Sequence, residues 1–268
     1  MTNKIPNSTQ ATFGALLSAF SLIALSTSQA AFTALPIPTP ETPGVSLGAP
    51  MLGAAGKVVA FKTVSFVDNA LPTPFASGIL NSFVVDRGGG LLDFYYQLVN
   101  TSVGPDPFGD SDMFRFKTLA GFDPAQNPQL ASGLLVGQTN TLTGLDTSMF
   151  PAVAGLTQGA GLQAAATGDH SVGTIGSIGF DFPIQPPLPF TGNANDVNFG
   201  ESSSFLIVRT NSTTFGMVPS AISGSATAFP VGTFAAIPEP GSILFGVAVL
   251  GACLGRRTTG VRRLKSSF

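Results

Sequence analysis

The sequence predicts an all-β fold, a β-sandwich of jelly-roll-like type, with an N-terminal signal helix and a short C-terminal transmembrane helix outside it. Three observations predict it. Glycine (32) and proline (21) are frequent and divide the chain into short pieces. Between them lie runs rich in Val, Ile and Phe, with Phe (23) the dominant aromatic and Trp absent. No stretch between the two ends keeps a helical period for twelve residues.

Composition sets the frame. The chain has 268 residues, and both ends read as processing segments. About 200 residues remain, which suits one all-β domain. A hydrophobic share of 44% is too high for a wholly disordered chain. The net charge of −2 hides an asymmetry, since residues 31–236 hold thirteen acidic and six basic side chains, a net −7. Five of the twelve basic residues fall in the last thirteen positions. A domain this acidic is repelled by phosphate backbones, which argues against a nucleic-acid partner. The single cysteine, Cys253, lies in the C-terminal apolar run. The middle of the chain therefore holds no thiol, disulfide or cysteine-based metal site.

The elements follow in order. Residues 1–30 have the layout of a secretory signal peptide: Lys4, then an uncharged run from Ala15 to Leu25, then Ser28-Gln29-Ala30. Ser28 and Ala30 are the small residues of a signal peptidase site. Eleven helical residues span only about 17 Å, too little to cross a bilayer. Residues 31–56 are Pro-rich and predict an extended linker or first edge segment. Residues 57–236 predict the β-sandwich domain. Lys57 to Val67 is rich in β-branched and aromatic residues. Gly78 to Asp86 and Leu91 to Asn100 predict a hairpin around Asp86-Arg87-Gly88-Gly89-Gly90, with Leu92, Phe94, Tyr96 and Leu98 on one face. Phe114 and Phe116 mark another half-buried strand. Thr174 to Phe182, Ser204 to Thr210 and Ala221 to Phe229 predict further strands.

Residues 237–268 are the most distinctive. Ile237-Pro238-Glu239-Pro240 precedes an uncharged run, Gly241 to Gly255, that stops at Arg256-Arg257; Arg262, Arg263 and Lys265 follow. Arginine is costly in hydrocarbon, so the run ends there. Flanking basic residues stay on the cytoplasmic side, which places the domain outside and the tail inside. Fifteen helical residues reach roughly 22 Å, short of the roughly 30 Å hydrocarbon core, so the predicted anchor is weak. The two prolines fix φ and remove amide donors, which separates the preceding strand from the helix.

This arrangement resembles the PEP-CTERM sorting signal, the recognition element of exosortase substrates. The resemblance covers about thirty residues of 268. It implies that Pro238, Glu239 and Pro240 form the signature, Ile243 to Leu254 the helix, and Arg256 and Arg257 the stop. Two departures are an Ile at 237, where Val is commoner, and the eleven residues after Arg257, a longer tail than usual. The resemblance implies export through signal peptidase and the Sec translocon, transient residence in the inner membrane, and cutting by an exosortase-like membrane protease. Such substrates belong to Gram-negative bacteria that make exopolysaccharide, so exopolysaccharide joins the expected partners. The middle also resembles the body of many PEP-CTERM proteins, in Asp93 to Asn100, Gly179 to Phe182, Gly200 to Ser203 and Leu206 to Asn211. No activity comes with that resemblance.

Residues that carry chemistry are few. His170, the only histidine, is expected on a surface loop. Asp169 precedes it, and sequence neighbours on a strand point apart, which argues against a catalytic relay. No Gly-x-Ser-x-Gly elbow is present. Gly88-Gly89-Gly90 lacks the lysine and helix of a phosphate loop. Asp106, Asp110 and Asp112, with Asp123 nearby, are hard oxygen ligands at short spacing and the candidate calcium site, set against a solvated turn. Glu201 is one of two glutamates between residues 31 and 236. The expected function is that of a non-enzymatic cell-surface or extracellular-matrix protein. A carbohydrate-binding module is the first alternative, weakened by zero Trp and only two Tyr. A secreted hydrolase is the second.

Overall fold

The computed structural model describes residues 32–35, 44–50, 55–67, 77–102, 113–132, 134–158, 162–171, 176–182, 196–224 and 228–238. The described chain is mostly β. Its strands are β1 (Thr33–Leu35), β2 (Val45–Ser46), β3 (Gly56–Val67), β4 (Ser77–Asp86), β5 (Leu92–Asn100), β6 (Met113–Thr118), β7 (Leu134–Thr139), β8 (Leu145–Asp146), β9 (Thr167–Ser171), β10 (Ser177–Asp181), β11 (Phe205–Arg209), β12 (Phe215–Gly224) and β13 (Ala228–Ala236). A one-turn helix, α1 (Pro151–Ala154), and a 3₁₀ turn, Pro128–Ser132, complete them. Among the described residues no helix is long and apolar enough to cross a membrane. The predicted signal helix and C-terminal helix lie outside the described residues.

The strands form two sheets, ordered β1-β7-β11-β5-β4-β3-β8 and β13-β12-β6-β10-β9-β2. Among the described strands every pairing is antiparallel except that of β3 with β8. The Pro-rich N-terminal segment supplies an edge strand to each sheet, β1 on β7 and β2 on β9. The β4–β5 hairpin matches its sequence closely. Gly88, Gly89 and Gly90 all have positive φ (110°, 69° and 76°), a conformation that side-chain-bearing residues rarely adopt. The Asp86 carboxylate accepts the Gly88 N–H at 2.8 Å and closes the turn.

One core is shared by both sheets. Leu92, Phe94, Tyr96 and Leu98 line it as predicted, facing Phe116, Phe180 and Ile222. The outer face of the seven-stranded sheet is buried as well, a departure from the half-buried alternation expected for residues 91–100. Val58, Phe83, Tyr95 and Ile207 form a second cluster, covered by Leu142 and Val153 from the segment that carries α1. Phe83 stacks on Tyr95 at 4.8 Å. Burial on both faces is what a near-continuous apolar run such as LLDFYYQLV permits. The cover is pinned by the Gln97 side chain, which donates to the Thr157 carbonyl at 2.9 Å.

The two sheets are tied at β13. Phe234 turns its backbone groups away from β12 and toward the other sheet. Its carbonyl accepts from the buried Tyr96 hydroxyl at 2.7 Å, and its N–H donates to Ser82 Oγ at 3.2 Å. The sheet edge at this point is thus satisfied within the chain.

Three strand expectations change. Residues 221–229 are not one strand, because β12 ends at Gly224 and β13 begins at Ala228. The strand expected from Thr174 starts at Ser177. His170 lies in β9, paired with Ile178, and is 3% exposed, so it is not on a surface loop.

Candidate functional site

Several predicted site residues fall outside the described residues: Ser28 and Ala30 of the signal peptidase site, the aspartates Asp106, Asp110 and Asp112, and Glu239, Pro240, Arg256 and Arg257 of the sorting signal. Pro238 is described and half-buried, two residues past the end of β13. Asp123 is buried, and its carboxylate accepts the Ala125 N–H at 2.8 Å, closing a turn. Among the described residues no group of three His, Cys, Asp or Glu side chains is placed to hold a metal ion.

The residues considered for catalysis hold structural positions. His170 Nε2 lies 2.9 Å from the Phe122 carbonyl. Asp169 holds Arg115 at 2.5 Å, so adjacent positions in sequence serve different contacts. Glu201 accepts from the Asn198 N–H at 3.1 Å and from its side-chain amide at 3.2 Å, capping a turn.

Arg115 on β6 reaches two acids, Asp169 on β9 and Asp181 on β10. Gly179 makes this possible: a Cβ there would lie 2.7 Å from Arg115 Nη2 and 2.8 Å from an Asp169 oxygen. The glycine leaves room for a guanidinium to cross the strand between them. The cluster ties three strands together, one guanidinium bridging two carboxylates.

A second cluster is more deeply buried. Asp93 on β5 is 1% exposed and meets two arginines. Arg209 on β11 donates to it from Nε at 3.0 Å and from Nη2 at 2.9 Å, and Arg87 donates from Nε at 3.1 Å. Arg87 also reaches the Thr210 carbonyl at 2.6 Å, and Arg209 lies over the Phe32 ring at 3.9 Å. Burial pushes the Asp93 carboxyl above its ordinary 3.8, and the hydrogen bonds and charges of Arg209 and Arg87 pull it partly back. The sequence reading missed this site. The signal was a carboxylate inside an apolar strand of a chain with 10% charged residues.

The third arrangement surrounds the end of β13, which in sequence directly precedes the predicted sorting signal. Regular pairing of β13 ends at Ala236, opposite Phe215. The next residue is held by side chains. The Ile237 carbonyl accepts from Thr214 Oγ1 at 2.6 Å and from Asn127 Nδ2 at 3.1 Å, and its N–H donates to the Thr214 carbonyl at 3.4 Å. Asn127 and Ser212, 2% and 0% exposed, hydrogen-bond each other at 3.1 Å. Ser212 Oγ in turn donates to the Thr214 carbonyl at 2.9 Å. Beside β13, Gly121 has φ +100°, and a Cβ there would lie 2.5 Å from the Ala235 Cβ and 3.0 Å from the Ala236 carbonyl oxygen. These residues carried no signal in the sequence, since loop Asn, Ser and Thr are common and ordinary.

A scan of protein-family profiles, a search of characterised proteins and a search of solved structures each found no match to this chain.

Proposed function

We propose that this chain is an exported cell-surface or extracellular-matrix protein, carried out through the Sec translocon and processed at a C-terminal sorting signal by an exosortase-like membrane protease. Its two sheets act as a jelly-roll-like β-sandwich without catalytic activity, parked at the inner membrane by a short helix and then delivered outside. One observation carries the reading. β13 and the hydrogen bonds of Ile237 run directly, in sequence, into Pro238-Glu239-Pro240, an apolar run of fifteen residues and Arg256-Arg257. A recognition peptide that follows a strand end and precedes an apolar run suits a protease at the membrane face.

The test fuses residues 237–268 to a periplasmic reporter in a host that carries an exosortase. The parent fusion is expected to be shortened, and a Glu239→Ala fusion to persist uncut. Equal processing of the two, or none of either, overturns the reading.

A further inference from the structure

Residues just past the last ladder pair of a strand usually fray, because they have few partners. At the end of β13 the opposite holds. Ladder pairing stops at Ala236, yet Ile237 is engaged through both of its backbone polar groups. The engagement comes from a prearranged group. Asn127 is fixed by its own N–H, donated to the Asp123 carbonyl at 2.8 Å. Ser212 joins it to the Thr214 backbone. The Ile237 side chain lies against Gly216, where a Cβ would come within 2.9 Å of Cδ1. Two buried polar side chains and a close-fitting glycine thus serve a single residue just past the last pair of β13.

The spacing makes this consequential. Only Pro238, Glu239 and Pro240 separate Ile237 from the apolar run that opens at Gly241. Three extended residues reach at most about 11 Å. With the run in a bilayer, a domain that grips Ile237 is drawn against the membrane face. A protease takes its substrate as an extended strand, bonding to main-chain groups on both sides of the cut. The N–H and carbonyl of Ile237 are already taken, so substrate strand on the domain side of Pro238 becomes available only when the grip opens.

We infer that Asn127, Ser212 and Thr214 form a clamp that controls processing: the sorting protease acts on the chain after Ile237 has left it, and the rate follows the fraction of open clamp. The clamp takes no part in bond breaking and sets only how much chain the protease can reach. The inference rests on the sorting reading above.

The experiment measures conversion of the full-length chain to its processed form by pulse-chase, in an exosortase-bearing host. Asn127→Ala removes a bond to the Ile237 carbonyl and is expected to speed conversion about fivefold, the change in open population that one lost hydrogen bond brings. Thr214→Val, at a half-buried site, does the same and serves if Asn127→Ala fails to accumulate. Thr214→Ser keeps the hydroxyl and is expected to restore the parental rate. A six-residue Gly/Ser insertion between Ile237 and Pro238 frees the signature from the clamp, so it speeds the parent and abolishes the effect of Thr214→Val. A parental rate in both clamp variants overturns the inference. So does the same acceleration with the insertion present, since it would report general destabilisation. Unchanged processing of a full-length Glu239→Ala chain, or none of any chain, overturns the sorting reading itself and the clamp's role with it.

Discussion

Replacing Arg209 by methionine probes the buried Asp93 site with little change in volume. The substitution removes the Arg209 donors at 2.9 and 3.0 Å and leaves a carboxylate, 1% exposed, with Arg87 as its remaining cation among the contacts described. Breaking a buried pair by removing one partner costs about 3–5 kcal/mol. Arg209 is 32% exposed and Arg87 stays at 3.1 Å, so about 2–3 kcal/mol is expected near neutral pH. The pH dependence sharpens the test. Burial already holds the folded carboxyl above its ordinary 3.8, and losing Arg209 raises it further. The folded state then keeps its proton where the unfolded chain has lost it. Stability therefore falls as pH rises from near 4 through the folded pKa, over a wider window in the variant than in the parent. Urea unfolding of residues 31–238 is the assay, run from pH 4 to pH 8 beside the double variant Asp93→Asn/Arg209→Met. The penalty should be greatest at the alkaline end and shrink toward pH 4, and the double variant should recover most of it. A penalty that ignores pH, or a double variant no more stable than the single one, would refute the reasoning.

Two further predictions concern how the sheets close. Tyr96→Phe removes the donor to the Phe234 carbonyl and should cost about 1–2 kcal/mol, lowering Tm by roughly 3–6 °C in a domain of this size. An unchanged melt would mean that this contact does not join the sheets. Gly121→Ala combines a strained φ of +100° with a Cβ only 2.5 Å from the Ala235 Cβ, whereas Gly88→Ala meets a strained φ of +110° in open space. The first should therefore lose about 3 kcal/mol and the second only about 1 kcal/mol in chemical unfolding, and equal losses would exclude the close packing behind β13.

Which of these features the sequence disclosed depends on how far apart their parts lie. The β4–β5 hairpin was legible because its signals are adjacent: an alternating apolar run, an Asp-Arg-Gly-Gly-Gly turn, and a second such run. The apolar run at 241–255 was legible for the same reason, since length and charge are local quantities. Strand β9 was not legible. Its sequence, TGDHS, has poor strand propensity, and it exists because β10 and β2 pair with it and Arg115 holds Asp169. That context also moved His170 from an expected loop into the interior. The stretch from Ala221 to Phe229 misled for a complementary reason: its residues suit a strand, and nothing local marks where one strand gives way to the next.

Burial of a charge shows the division within a single site. Asp93 stands on the face of the 91–100 strand opposite the predicted core side, and the burial of that face is what demands a cation, because an unpaired buried carboxylate is too costly to keep. What no local pattern could name was the partner, since Arg209 lies 116 positions away. The proposed clamp on Ile237 is the extreme case. Asn127 and Ile237 stand 110 residues apart, and neither residue type is unusual where it occurs. Only the meeting of the 3₁₀ turn, the loop before β12 and the end of β13 makes Asn127 more than a turn residue. The sorting segment is thus proposed from the string of residues alone, while the device proposed to govern its use had to be read from the folded chain.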